Sequence, residues 1–189
     1  MGWDAVMFGS LRVPETNLEE WLSSPLLLDE LPWLEELAGD EVRADTPEAL
    51  LGYLAETHVA PHELFEVRQE GAALEVGCFV CEDVYRATCQ PLAVLFASAA
   101  EFGGSGELTF LGYRTIQFGD RLTSSKGQTV FRRLSRVEQE AAERSRPFKL
   151  LDARIHARFD ALVGRTPPPG AKLQWAVNPF TGRRVRVAL

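Results

Sequence analysis

The chain of 189 residues predicts an α+β fold, a mainly antiparallel sheet packed with several helices in a single domain spanning residues 1–189. Three observations carry this. Strand-period runs come in consecutive pairs separated by short turns. Helical-period segments cluster before and after those pairs instead of alternating with them strand for strand, which is the signature of segregated rather than doubly wound layers. No internal repeat breaks the chain into smaller units, and its length and 46% hydrophobic, 25% charged composition suit one sizeable core.

The first element is "AVMFGSLRVP", apolar and β-branched, read as a strand ending at Pro14, which has no N–H for a ladder. In "TNLEEWLSSP", Thr16 and Glu19 have capping-box spacing, and Leu18, Trp21 and Leu22 share a helical face that Pro25 closes. "DELPWLEELAG" reads as a second short helix, with Leu31, Trp33 and Leu34 inward and Gly39 as its left-handed terminator. "TPEALLGYLAE" reads as a third, with Thr46 as cap and Pro47 in the first turn.

The period then changes to two. Residues 64–68 alternate, Gly71 turns the chain, and Leu74, Val76, Cys78 and Val80 fall on one face of a second strand, so a β-hairpin is expected. "QPLAVLFASAAEF" follows as a buried helix with Pro91 near its start. The glycine cluster of "EFGGSGELTF" comes after that helix and before a strand. Phosphate-cradling loops have the opposite order, so Gly103 and Gly104 read as a helix terminator and turn.

"ELTFLGYRTIQFGDRL" supplies two strands broken near residues 112–114, and "TSSKGQ" is a turn into the strand "TVFRRL". Ser135 and Glu138 form a second capping box, opening a polar helix that Pro147 is expected to stop. "KLLDARIHARFDALVG" is amphipathic through Leu151, Ile155, Phe159 and Leu162. After the stiff "TPPPG" connector, "KLQWAV" and "RRVRVAL" flank "NPFTG" as a terminal hairpin.

Charge is distributed unevenly. Residues 1–101 hold 20 acids and 4 bases, residues 102–189 hold 7 acids and 16 bases, and the net charge is −7. Two readings fit: the portions fold together and neutralise each other, or the acidic portion presents a face to a basic partner. The N-terminus lacks the pattern of a secretory signal and no segment is long and apolar enough for a membrane span, so a cytoplasmic location and no membrane partner are expected. Three cysteines without an export signal read as reduced thiols.

Four arrangements are candidates for chemistry. Cys78 and Cys81 form a CxxC on an apolar strand and read as buried packing residues. His58 and His62 join them as a soft ligand set for zinc, which Pro61 between the histidines disfavours, and no metal or cofactor is expected. His156, with Asp152 and Asp160 four residues to either side, has acid–base character on a helix face that reads as solvated. Arg114, Arg121, Arg132, Arg133, Arg136, Arg183, Arg184 and Arg186, with Tyr113, Phe118 and Phe131, have the residue types of a nucleic-acid surface, against which stand the acidic pI of about 5.1 and the scatter of the arginines.

The expectation drawn from these is a non-enzymatic binding protein. Its contact surface is the acidic helical region, with Glu35, Glu36, Asp40 and Glu41 for steering and Trp33 as aromatic anchor, and its partner is a protein with a basic surface. The alternative is an enzyme with a site around His156 or Cys78 and Cys81. The block "GELTFLGYRTIQFGDRL", residues 106–122, resembles blocks in small bacterial α+β proteins that include toxin-immunity proteins. That resemblance implies tight binding to a toxin domain without a cofactor and carries over no functional residue. The preference for Arg over Lys, 17 against 3, fits a GC-rich bacterial genome.

Overall fold

The first strand of the chain is also the middle of the sheet. β1 (Asp4–Arg12) pairs antiparallel along its whole length with β3 (Ala73–Cys81) on one side and β4 (Ser105–Tyr113) on the other. The computed structural model describes residues 4–37, 42–113, 118–163, 173–177 and 184–188. Its main sheet is α+β as expected: six strands in the order β2-β3-β1-β4-β5-β6, with every neighbouring pair antiparallel. β2 (Leu64–Glu70), β5 (Gly119–Ser125) and β6 (Gln128–Arg133) complete it, and β7 (Leu173–Val177) pairs with β8 (Arg184–Ala188) as the anticipated terminal hairpin.

The central position of β1 follows from its sequence. Ala5, Met7 and Leu11 face one side and Val6 and Phe8 the other, all at most 4% exposed, a pattern only a strand covered on both faces can satisfy. Gly9 has a separate reason: a Cβ there would overlap the backbone of Glu107 and Leu108 on β4. Local signals set the two hairpin turns. Gly71 takes φ 57, and Lys126 and Gly127 take φ 51 and 74, the left-handed pair that a two-residue connection between twisted strands requires.

One face of the sheet is covered by α3 (Glu82–Ser98), α1 (Leu18–Ser23) and α2 (Pro47–Ala55) with short 3-10 turns between them. The other is covered at one end by α4 (Arg136–Glu143) and α5 (Arg146–Val163). Two apolar clusters result. The larger joins Met7, Leu74, Val76, Cys78, Leu108 and Leu122 to α3, and the smaller joins Val6, Phe8, Phe79 and Leu111 to Leu151, Ile155 and Phe159 of α5. The α5 stripe is the expected one, with Leu162 half-buried at its end.

Caps form as predicted at two helices. Thr46 accepts the N–H of Ala49, and Ser135 and Glu138 make a complete capping box in which Arg132 and the Ser135 backbone hold the Glu138 carboxyl down to about 2. Gly103, at φ 76, ends the turn after α3 in the left-handed conformation, the terminator read from the glycine cluster.

Four expectations are corrected. Thr16 and Glu19 make no capping box. α1 starts at Leu18, and Asn17, its cap residue, instead donates to the Phe102 carbonyl at 2.9 Å. "DELPWLEELAG" is not a helix but two 3-10 turns, Leu28–Glu30 and Pro32–Glu36. Pro32 has no N–H and drives Leu31 to φ −110, ψ 72, outside the helical region; Gly39 lies outside the described residues. α3 begins at Glu82, eight residues before the expected start, and runs straight through Pro91. Finally, α4 ends at Glu143, and Pro147 sits in the first turn of α5, where its missing N–H is harmless.

Candidate partner-binding face

Hydrogen bonds with α3 and the turn that follows it hold the acidic layer in place. A proline inside a helix frees the carbonyl four residues back, here that of Ala87, and the Tyr53 hydroxyl of α2 donates to it at 3.2 Å. Gln90, the one amide in the apolar run of α3, is buried and donates through Nε2 to the Leu34 carbonyl at 3.1 Å and the Leu37 carbonyl at 2.9 Å. Leu34 lies within the 3-10 turn Pro32–Glu36 and Leu37 just after it, so one side chain holds the backbone on either side of Glu35 and Glu36. The Trp21 indole donates to Ser98 Oγ at 3.0 Å, and the Ser98 hydroxyl donates in turn to the Leu95 carbonyl at 3.1 Å. Together with the Asn17 contact, four side chains dock residues 17–53 onto the α3 layer.

On the outside of this mount the carboxylates are exposed. Glu15, Glu19, Glu20, Asp29, Glu30, Glu35, Glu36, Asp45, Glu48 and Glu56 all face solvent, with Arg43 the one base in the same described stretch. None of these ten forms an ion pair among the described residues. The bases pair elsewhere: Arg121 with Glu107, Arg132 with Glu138, Arg133 with Asp120, Arg136 and Arg144 with Glu140. One described ion pair crosses between the acidic and basic portions of the chain, Glu66 to Arg154 at 3.0 Å. Among the described residues, direct pairing therefore leaves the acidic layer's charge in place.

The expected contact residues separate on inspection. Glu35 and Glu36 lie exposed on the Gln90-held turn. Trp33 is half-buried and stacks on Phe131 of β6, ring centroids 5.5 Å apart and planes at 20°, so it closes the edge between the turn and the sheet rather than standing free as an anchor. Asp40 and Glu41 lie outside the described residues. Glu36 also acts inward. Burial raises the Asp120 carboxyl above its ordinary range, the Arg133 guanidinium lowers it, and the nearby Glu36 charge adds to the rise.

The candidates for chemistry are dispersed. Cys78 is fully buried, and burial pushes its thiol up to about 12. Cys81 is the residue that opens α3, so the thiol does stand at a helix start, but burial and a hydrogen bond with Glu63 raise its pKa, the reverse of an activated thiolate. Glu63 is itself buried and accepts the N–H groups of Ala60 at 2.6 Å and Cys81 at 2.5 Å, tying the loop before β2 to the head of α3. His58 is exposed after α2 while Cys78 is sealed in the core, so the proposed ligand set does not converge. Among the described residues no three His, Cys, Asp or Glu side chains assemble for a metal. His156 Nε2 lies 3.8 Å from Asp152 Oδ2, both substantially exposed. The aromatic residues proposed to stack on bases are occupied within the fold: Phe131 by Trp33, Phe118 by Tyr85 and Tyr113 by Phe79. Arg114 lies outside the described residues, as does Arg183.

The anchors Asn17, Tyr53, Glu63 and Gln90 were not singled out from the sequence. Gln90 alone leaves a trace there, as an isolated amide in "CQPLAVLF", where burial demands partners. No helix among the described residues is long and apolar enough to cross a membrane. No family model, curated protein or solved structure matches the chain.

Proposed function

We propose that this is a non-enzymatic binding protein of the bacterial cytoplasm that docks a basic protein on its acidic layer, acting as an immunity or other inhibitor protein for a toxin domain. The observation that carries the reading is the set of ten exposed carboxylates without ion-pair partners among the described residues, on a layer docked by side-chain hydrogen bonds onto α3, the helix packed into the larger apolar cluster. A rigid, pre-ordered surface loses little conformational entropy on association, and an uncompensated field of one sign steers an oppositely charged partner and raises the rate of encounter. Glu35 and Glu36, on the turn held by Gln90, are the proposed steering residues, with Asp40 and Glu41 continuing the same acidic run in the sequence.

The test is capture from a lysate of the source bacterium with the wild-type chain and with the variant Glu35→Lys, Glu36→Lys, Asp40→Lys, Glu41→Lys. The proposal expects a basic protein retained by the wild type, released by moderate salt and lost with the variant. Equal capture by both proteins contradicts it.

A further inference from the structure

The acidic layer is not polar throughout. Between the segment 24–33 and the C-terminal half of α3 lies a groove of about 280 Å³. Pro25 and Pro32 break this segment into 3-10 turns that cannot lie flush on a helix, and facing them are Val94, Ala97 and Ser98 of α3 with Ala100 and Phe102 of the turn after it. Leu26, Leu27 and Leu31 form the opposite wall, and Trp33, held by its stack on Phe131, closes one side. Leu27 is 48% exposed, a large apolar side chain at the lip of the groove.

Two further observations define what this groove accepts. Its hydroxyl groups are already satisfied inside the fold: Ser24 donates to the Trp21 carbonyl, Ser98 to the Leu95 carbonyl and Thr129 to the Ala97 carbonyl. These side-chain hydroxyls are thus already engaged as donors, and the leucines, Trp33 and Phe102 supply the groove's apolar contact. Its ionisable lining residues are Glu30 and Glu101, both exposed and without ion pairs among the described residues. Among the described residues no Lys or Arg lines the groove. Leucine and aromatic walls under a carboxylate rim select a bulky apolar side chain flanked by cations, the arrangement of an interface anchor inside a polar ring.

We propose that this groove receives one large apolar side chain of the basic protein partner, with neighbouring Lys or Arg residues of that partner paired to Glu30 and Glu101. The inference rests on the docking role of the acidic layer and specifies what the partner must present to it: a Leu, Met, Phe or Trp within a basic segment, rather than positive charge alone.

The experiment is an NMR titration of the full isotope-labelled chain with three end-blocked pentapeptides, KRFRK, KRARK and EEFEE. Removing a phenylalanine-sized contact from a half-open groove lowers affinity by about tenfold or more. The proposal expects KRFRK to bind at least about tenfold more tightly than KRARK, to shift Leu27, Ala97 and the Trp33 indole, and to lose that advantage in Leu27→Ser, a surface substitution that leaves the core intact. EEFEE is expected not to bind. Equal affinities for KRFRK and KRARK, with shifts confined to Glu35, Glu36 and their neighbours, overturn the groove and leave the acidic docking face standing. Binding of EEFEE as tight as that of KRFRK, or no binding by any of the three, also overturns the groove. The charge-reversal capture decides the docking face separately.

Discussion

Replacing Tyr53 by Phe removes one hydroxyl, and its cost depends on a residue it does not touch in sequence, Pro91. In α3 the Ala87 carbonyl has no Ala87-to-91 helical bond because Pro91 has no N–H, and its partner is the Tyr53 hydroxyl at 3.2 Å. A neutral hydrogen bond of this kind contributes about 0.5–1.5 kcal/mol net. Tyr53 is 48% exposed, so water reaches the carbonyl once the hydroxyl is gone and the lower half of that range applies, about 0.5–1 kcal/mol. In a Pro91→Ala background residue 91 supplies the N–H itself, and the same Tyr53→Phe change is expected to cost close to nothing. The single Pro91→Ala change mixes a helix-propensity gain of up to about 3 kcal/mol with lost burial of the ring, so only the coupling is diagnostic. The assay is urea denaturation of the four proteins of the double-mutant cycle. A coupling energy of about 0.5–1 kcal/mol is expected. Equal costs of Tyr53→Phe in both backgrounds would refute the reasoning.

Three further outcomes follow from the same geometry. Gln90→Leu keeps the volume but leaves the Leu34 and Leu37 carbonyls without their buried donor. It should cost about 2 kcal/mol and speed amide exchange across residues 34–37, whereas protection unchanged there would show that Gln90 does not hold the turn. The thiol of Cys78, buried and pushed up to about 12, should resist alkylation at pH 8 in the native protein and react fully only in denaturant; prompt native labelling of Cys78, located by mass spectrometry, would contradict this. Asp120 has its pKa raised in the fold, chiefly by burial. The contribution of its protonated form is therefore complete below the ordinary value of 3.8 and is lost as pH rises through the higher folded value. The stability of the wild type relative to Asp120→Asn should thus increase as pH is lowered through that window, and a relative decrease would show that the Arg133 pair outweighs burial.

What could be read in the sequence was what local chemistry decides. Alternation marked the strands, Gly71 and the Lys126–Gly127 pair marked turns whose φ values only a few residues tolerate, and Ser135 with Glu138 announced a helix start that the fold forms completely. The errors fall where a distant partner changes a local rule. Pro91 reads as a helix start because a proline in a helix interior wastes a carbonyl, yet Tyr53, 34 residues away, takes that carbonyl and the helix continues. Pro32 breaks a run whose leucine spacing alone reads as a helix. Sheet order was equally hidden, since the placement of β1 between β3 and β4 depends on pairing across most of the chain. At the candidate face, the exposure of Glu35 and Glu36 was legible from amphipathic spacing. The stacking of Trp33 on Phe131 was not, because nothing near residue 33 encodes an aromatic ring on β6.

The central claim, that the acidic layer is a docking surface, is tested most directly by a photo-crosslinking amino acid placed in the living source organism at position 36, on the Gln90-held turn, and separately at Val137, 76% exposed on α4 across the sheet. The docking account predicts a discrete adduct with a basic protein at position 36 and none at 137. Adducts at 137 alone, or at neither position, would contradict it.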